Sequence, residues 1–270
     1  MKTLFAGPFV GELGYEVFEW QGYMRKLSKN FDSTIICSRP GHEILYKDFY
    51  SEFVPLTIDL CNCAGWTNYR YKYKKGIHEK YNPCEIVYVD NESDAASILG
   101  NLEQEFIAYG NKSDEDKTDI IIHARDIKMN DSYKRSRNWP IRKWEALVGE
   151  LITYGFTVGS IGTSECARYI DGTKNFMDIG LMRLADILSS STMIVGPSSG
   201  PMHFATLCKC PQFVWTSNKV GIGHQNRYNY EKKWNPFGTK VMVYEEGGWN
   251  PSEKEVYDAI IKLNEDILKN

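Results

Sequence analysis

Residues 192 to 215 read TMIVGPSSGPMHFATLCKCPQFVW. Ser198, Ser199 and Gly200 stand there between two apolar runs. Met193 to Val195 is a short β run closed by Gly196-Pro197, and Met202 to Leu207 has the character of a buried helix. Cys210-Pro211 ends that helix and Gln212 to Trp215 begins the next strand, so the pattern is strand, tight turn, helix, strand. Pro201 suits the first turn of a helix, where a missing N–H costs nothing. The first-turn amides of such a helix have no intrahelical partner and carry the positive end of its dipole. With two hydroxyls and a glycine ahead of them, they can hold a phosphate or diphosphate. An ordinary βαβ turn with a serine cap has the same spacing.

Two further stretches carry chemistry. GPFVGELGYE, Gly7 to Glu16, places three glycines at a strand-to-helix turn, where a ligand can come close to the backbone. The turn follows the first strand, at the end of the sheet where doubly wound folds bind ligands. Its carboxylates, Glu12 and Glu16, lie one helical turn apart; the plain alternative for Glu12 is a helix-start acid favoured by the dipole. HARDIKMNDSYKRSRNWP, His123 to Pro140, gathers Arg125, Lys134, Arg135 and Arg137 into a basic loop of an otherwise acidic chain, which a solvated loop would also explain.

The stretch from Thr192 to Trp215 resembles the donor-binding motif of glycosyltransferase family 9, the ADP-heptose:lipopolysaccharide heptosyltransferases. There an acidic residue, a small hydroxyl residue, Gly, a variable pair and His open the helix that holds the diphosphate of a nucleotide sugar. Ser199, Gly200, Pro201, Met202 and His203 match it, and Ser198 departs from it in the acidic position. The resemblance implies an α/β chain of the GT-B type, two Rossmann-like doubly wound parallel-sheet domains facing a cleft. It implies an inverting, metal-independent transfer from a nucleotide-diphosphate sugar to an acceptor hydroxyl, on a glycan, a lipid-linked sugar or a modified nucleobase. The donor-binding residues would be His123, Arg125, Ser198, Ser199, Gly200, Pro201, Met202 and His203. Gly11-Glu12 falls where the family carries Gly-Asp, the Asp being proposed as base for the acceptor. Glu12, with Glu16 second, is therefore the expected base, since a sugar hydroxyl must lose its proton as it attacks. Arg137, in RNWP, falls near the family's Lys and would neutralise the departing diphosphate. Gly11, Gly14, Arg39 and His42 would face the acceptor. No cofactor is expected beyond the donor itself. The alternative enzyme within the fold is a nucleotide-sugar epimerase or hydrolase, and the Ser198 departure also permits a nucleotide-sugar-binding protein without turnover.

The elements that must position these residues follow from pattern. The first half reads as strands at Lys2 to Ala6, Thr34 to Cys37, Phe53-Val54 and Ile86 to Val89. Helices are expected from Glu12 to about Lys29, with Leu13, Val17, Trp20, Met24 and Leu27 on its buried face, from Glu43 to Tyr50, and from Asp94 to Tyr109. Gly110 to Lys117 is polar and charged and reads as a linker, giving domains 1–115 and 116–270. Beyond it strands (Asp119 to His123, Thr157 to Ile161, Asn175 to Met177) alternate with helices (Ile141 to Tyr154, a short one from Glu165, Leu181 to Ser189), as in a parallel sheet. Trp139 and Trp144 are expected to pack in the core. Ser252 to Lys269 is an amphipathic helix opening with a capping box, free to pack on either domain.

The 270 residues, 42% hydrophobic and 25% charged with net charge −3, are those of a folded protein with no basic footprint. Nucleic acid is therefore expected only as a modified-base acceptor, although Lys72 to Lys75 with Tyr69, Tyr71 and His78 mixes base and aromatics. No apolar run reaches the roughly 20 residues of a membrane span. No signal peptide is apparent, so the seven Cys are expected as reduced thiols in a cytoplasmic protein. The C-x-C pairs Cys61/Cys63 and Cys208/Cys210 lack zinc-site spacing, and Asp90, Glu92 and Asp94 lack partners for a metal. Abundant Lys, Asn and Tyr point to an AT-rich genome such as that of a phage or virus.

Overall fold

The computed structural model describes residues 1–9, 11–56, 76–87, 102–128, 135–217 and 225–269. Val10, the Cys61/Cys63 pair, the Tyr69–Lys75 run, Asp90, Glu92, Asp94 and Lys134 lie outside them. The chain forms two compact units, Met1–Ile107 and Ala108–Asn270.

The first unit is built on a parallel sheet in the order β3-β2-β1-β4, with β1 Thr3–Ala6, β2 Ser33–Ser38, β3 Glu52–Pro55 and β4 Glu85–Val87. Leu4 pairs with Thr34 on one side and Glu85 on the other. Leu4, Phe5 and Ala6 are fully buried, as expected of a parallel strand covered on both faces. The crossover from β1 to β2 is α1 (Leu13–Tyr15), a π-helical turn (Glu16–Trp20) and α2 (Gln21–Ser28). On the expected apolar face Val17, Trp20 and Met24 are buried, but Leu13 and Leu27 lie at its margins. The wide π turn shifts the register of the stripe and brings the polar Glu16, Glu19, Gln21 and Arg25 inside as well.

Two expected helices are not seen among the described residues of their segments. Glu43 to Tyr50 contains only the 3₁₀ turn Glu43–Leu45, because Arg25 ties the segment inward through the Leu45 carbonyl (2.9 Å) and Asp48 (2.7 Å). Residues 102–109, the described part of the expected Asp94 to Tyr109 helix, are non-helical. Their backbone is bonded to other elements instead: Glu105 N–H donates to Gly22 O (3.0 Å), and the Glu105 carbonyl accepts from Arg25 (2.9 Å). Tertiary bonds here outweigh helix propensity.

In the second unit six parallel strands run β10-β9-β8-β5-β6-β7: β5 Ile120–Ile122, β6 Val158–Gly162, β7 Lys174–Met177, β8 Met193–Pro197, β9 Gln212–Trp215 and β10 Val241–Tyr244. Helices α3 (Ile141–Tyr154), α4 (Leu181–Ser190), α5 (Gly200–Leu207) and α6 (Glu253–Leu268) accompany them. The chain leaves β5 toward β6 and β7, then returns past it to β8, β9 and β10. The strand order therefore reverses between β5 and β8, and such switch points are where doubly wound sheets bind ligands.

Trp139, Trp144 and Trp215 form the heart of the core, with ring centroids 4.9, 5.4 and 5.5 Å apart. The last helix buries Val256, Ile260 and Leu263 in this same core, and Ser252 and Glu255 close its capping box. The stretch read as a linker lies in the second unit, tied by Tyr109 N–H to Leu207 O (2.9 Å), Asn111 N–H to Asp186 Oδ1 (2.8 Å) and Ser113 N–H to Ser190 Oγ (2.9 Å). A short helix expected from Glu165 is a turn instead, closed by the bridge between Arg125 and Ala167.

Removing the central ring should matter far more than removing a cap. Trp144→Ala should cost about 3–5 kcal/mol through the cavity it leaves, and Ser252→Ala about 1 kcal/mol through the lost cap. Urea denaturation followed by circular dichroism measures both; a reversed ranking would contradict this view of the core.

Candidate functional site

The switch point assembles from two neighbouring strand ends. Ile122 of β5 is level with Val195 of β8, and His123 N–H continues the pairing to Val195 O at 3.0 Å. This register places His123 beside the turn that follows β8, and its Nδ1 lies 2.9 Å from Ser199 Oγ. Gly162 borders the imidazole: a Cβ there would lie 3.3 Å from the His123 Cδ2 and 3.4 Å from its Nε2. His123 is buried. Desolvation first, then the charges of Arg125 and Arg137, pull its pKa from 6.5 down to about 3, so it is neutral at ordinary pH.

Arg125 and Arg137 are themselves buried, at 2% and 7% exposure. Arg125 donates to Asn138 Oδ1 (2.6 Å), and Asn138 is pinned to Ile127 through both its backbone groups (3.2 and 3.0 Å). Arg137 donates to Gln225 Oε1 (3.1 Å) and stands over the Trp249 ring at 5.6 Å. The charges of both guanidinium groups act on His123, and that of Arg137 also acts on Tyr230, so basic side chains stand near the start of α5.

Ser199 is the N-cap residue of α5, in extended backbone, with Pro201 in the first turn. Its side chain makes no cap hydrogen bond to the helix and meets His123 instead. Ser198 is fully buried and accepts from the Tyr230 hydroxyl at 2.6 Å. Gly200, Pro201 and His203 are half-buried at the helix start, whereas Met202 is fully buried and serves the core. The His203 ring stacks on Tyr230 (5.3 Å, 13° between planes) and meets the Trp234 edge at 4.7 Å. Tyr230 and Gln225 belong to this site yet fit no motif, and Asn138 lies in RNWP without having been singled out. Tyr230 comes from a π-helical turn, Asn229–Lys233, that no apolar period announces.

In the first unit Glu12 sits half-buried at the start of α1, its carbonyl accepting from Tyr15 N–H (3.1 Å) and Glu16 N–H (3.3 Å). Glu16 is fully buried. Its carboxylate accepts from Ser38 Oγ and the Tyr46 hydroxyl and meets His42 Nδ1, each at 2.5 Å. Burial alone would raise its pKa, but the His42 charge and the hydrogen bonds from His42, Ser38 and Tyr46 outweigh that and hold it below the usual carboxylate value. Arg39 and His42 turn inward: Arg39 donates to the carbonyl of buried Gly11, and His42 to the Glu16 cluster. Gly14 is half-buried within α1.

No family model matches the sequence, and no curated protein matches it. Solved structures do match along nearly its whole length. A family 9 glycosyltransferase from Veillonella parvula superposes with TM-score 0.59 at 12% identity, covering 98% of this chain and 97% of that one. E. coli ADP-heptose lipopolysaccharide heptosyltransferase II gives 0.61 at 13%, covering 98% and 99%. E. coli heptosyltransferase WaaC, solved with ADP, gives 0.57 at 10%, covering 99% and 100%. The chain has the GT-B fold. At these identities its likeness to family 9 is a likeness of fold.

Within this GT-B chain Cys37, Cys84, Cys208 and Cys210 are free thiols, but Cys166 is in a disulfide, contrary to the expectation of seven reduced cysteines. Among the described residues no group of three or more His, Cys, Asp or Glu side chains is arranged to hold a metal, and no helix is long and apolar enough to cross a membrane.

Acid should weaken the fold through His123. Its pKa is about 3 folded against 6.5 for the free side chain, so between those values the unfolded chain holds more protons. Stability is complete above pH 6.5 and is lost progressively toward pH 3. Glu16, lowered from 4.5, adds a loss of the same sign below pH 4.5. His123→Gln should flatten the dependence between pH 6.5 and 4.5 in melting temperatures. Parallel curves for variant and wild type would contradict a buried neutral imidazole.

Proposed function

We propose that the chain is an inverting glycosyltransferase that binds a nucleotide-diphosphate sugar at the start of α5 and moves the sugar to an acceptor hydroxyl. One observation carries the reading. At the switch point of a Rossmann-ordered sheet, a helix start lies beside two buried guanidinium groups and a neutral histidine. This combination favours a group of concentrated negative charge. The GT-B fold supports it, as does the Ser199-Gly200-Pro201-Met202-His203 motif.

In this reading the acceptor oxygen attacks the anomeric carbon as the bond from that carbon to the diphosphate oxygen breaks. The configuration inverts and the nucleoside diphosphate departs with its electron pair. The acceptor proton passes to Glu12, the carboxylate with partial exposure on the first unit. Glu16 is occupied by three partners and serves as the strut beneath the Glu12 turn rather than as a second base. Arg137 and the first amides of α5 take up the charge of the departing diphosphate, Arg125 supporting them, and we propose that no metal is required. The acceptor class is a glycan, a lipid-linked sugar or a modified nucleobase. Hydrolysis of the donor without any acceptor would instead mark a nucleotide-sugar hydrolase.

A thermal-shift screen against nucleotide sugars tests donor binding, since a bound ligand raises stability by mass action. With an active pair in hand, Glu12→Gln should lower turnover by about 10²- to 10⁴-fold while donor affinity barely moves. Arg137→Ala should reduce both, because it removes charge from ground state and transition state alike. Near-normal turnover in Glu12→Gln would remove Glu12 from the role of base.

A further inference from the structure

We infer that Tyr230 is a positioning residue of the diphosphate turn, holding both ends of the Ser198–His203 segment so that the first amides of α5 face a nucleoside diphosphate. The inference rests on the donor-site reading above and adds to it a residue from outside the motif. Its hydroxyl donates to Ser198 Oγ at 2.6 Å, just before the turn, and its ring stacks on His203 at 5.3 Å, one helical turn later. Trp234 closes the arrangement, its ring nearly perpendicular to both, at 81° to His203 and 87° to Tyr230. The backbone of Ser199 also bonds to the phenol oxygen.

The burial of these groups sets the chemistry. Ser198 is 0% exposed and Tyr230 1%, so their hydrogen bond acts on the turn and not on the ligand directly. Buried this way, the phenol stays protonated and remains a donor, since desolvation raises its pKa. In the family that the turn resembles, this position is acidic. Here a neutral Ser–Tyr pair occupies it, which keeps the turn shaped without adding a buried negative charge beside the nearby Arg137.

The test is calorimetric titration of the full chain with ADP, UDP, GDP and CDP, comparing wild type, Tyr230→Phe, Ser198→Ala and the double variant. Each single variant removes the same hydrogen bond and should weaken the best diphosphate on the order of tenfold. The double variant should bind no worse than either single one, because the two changes delete one shared contact; loss of fold would instead lower the titrated stoichiometry below that of wild type. Ser198→Ala supplies the comparison if Tyr230→Phe folds poorly. Unchanged affinity in the single variants, or losses that add in the double variant, would overturn the positioning role while leaving the donor site standing. A wild-type chain that binds none of the four diphosphates would overturn the donor reading, and this inference with it.

Discussion

A neutral imidazole buried beside two guanidinium groups is the constraint on which the second unit's site depends. Protonating His123 would place a third positive charge next to Arg125 and Arg137 in a medium that solvates charge poorly. The ring therefore stays neutral, and its Nδ1 engages Ser199. An N-cap serine ordinarily turns its hydroxyl onto the amides of its own helix. At α5 the hydroxyl is turned to histidine instead, which leaves the first-turn amides available to a ligand. The positive field and the helix start are thus products of one arrangement. Its backbone basis is the register of β5 against β8.

The first unit solves a different problem with a buried charge. Glu16 lies inside the protein, where an isolated carboxylate would be costly, and three donors from the end of β2 and the segment after it surround it. Ser38, His42 and Tyr46 are thereby fixed to the helix that follows β1, and Arg39 clamps the Gly11 carbonyl directly before Glu12. What binds these two turns together is polar and directional. A turn held this way is suited to orient one carboxylate rather than to bury a face.

Much of this was legible in the sequence because it rests on local pattern. The strands of both sheets other than Val241–Tyr244, the helix Ile141–Tyr154 and the Ser252 capping box are written in apolar period and end signals. The turn around Ser199 is written in Ser, Gly and Pro. Contacts made by single side chains across long separations were not legible. Arg25 reaches residues 45, 48 and 105, and that keeps residues 46–50 and 102–109 out of the helices their pattern suggests. Arg39 and His42 have the composition of a surface loop, yet buried partners draw them inward. Tyr230 enters the Ser198–Gly200 turn from a π-helical element, 32 residues beyond Ser198, with no periodic signal to mark it. Glu12 and Glu16 are alike in type and spacing, and only their burial separates a half-exposed acid from a fully bonded strut.

The central claim is that the start of α5 holds the diphosphate of the donor. Locating the phosphorus atoms in a crystal of the full chain grown with a nucleoside diphosphate tests it most directly. The account predicts phosphate oxygens within hydrogen-bond distance of the Ser199 and Gly200 amides, with the Arg137 guanidinium turned toward them. A nucleotide bound elsewhere, with the α5 turn left to solvent, would contradict it.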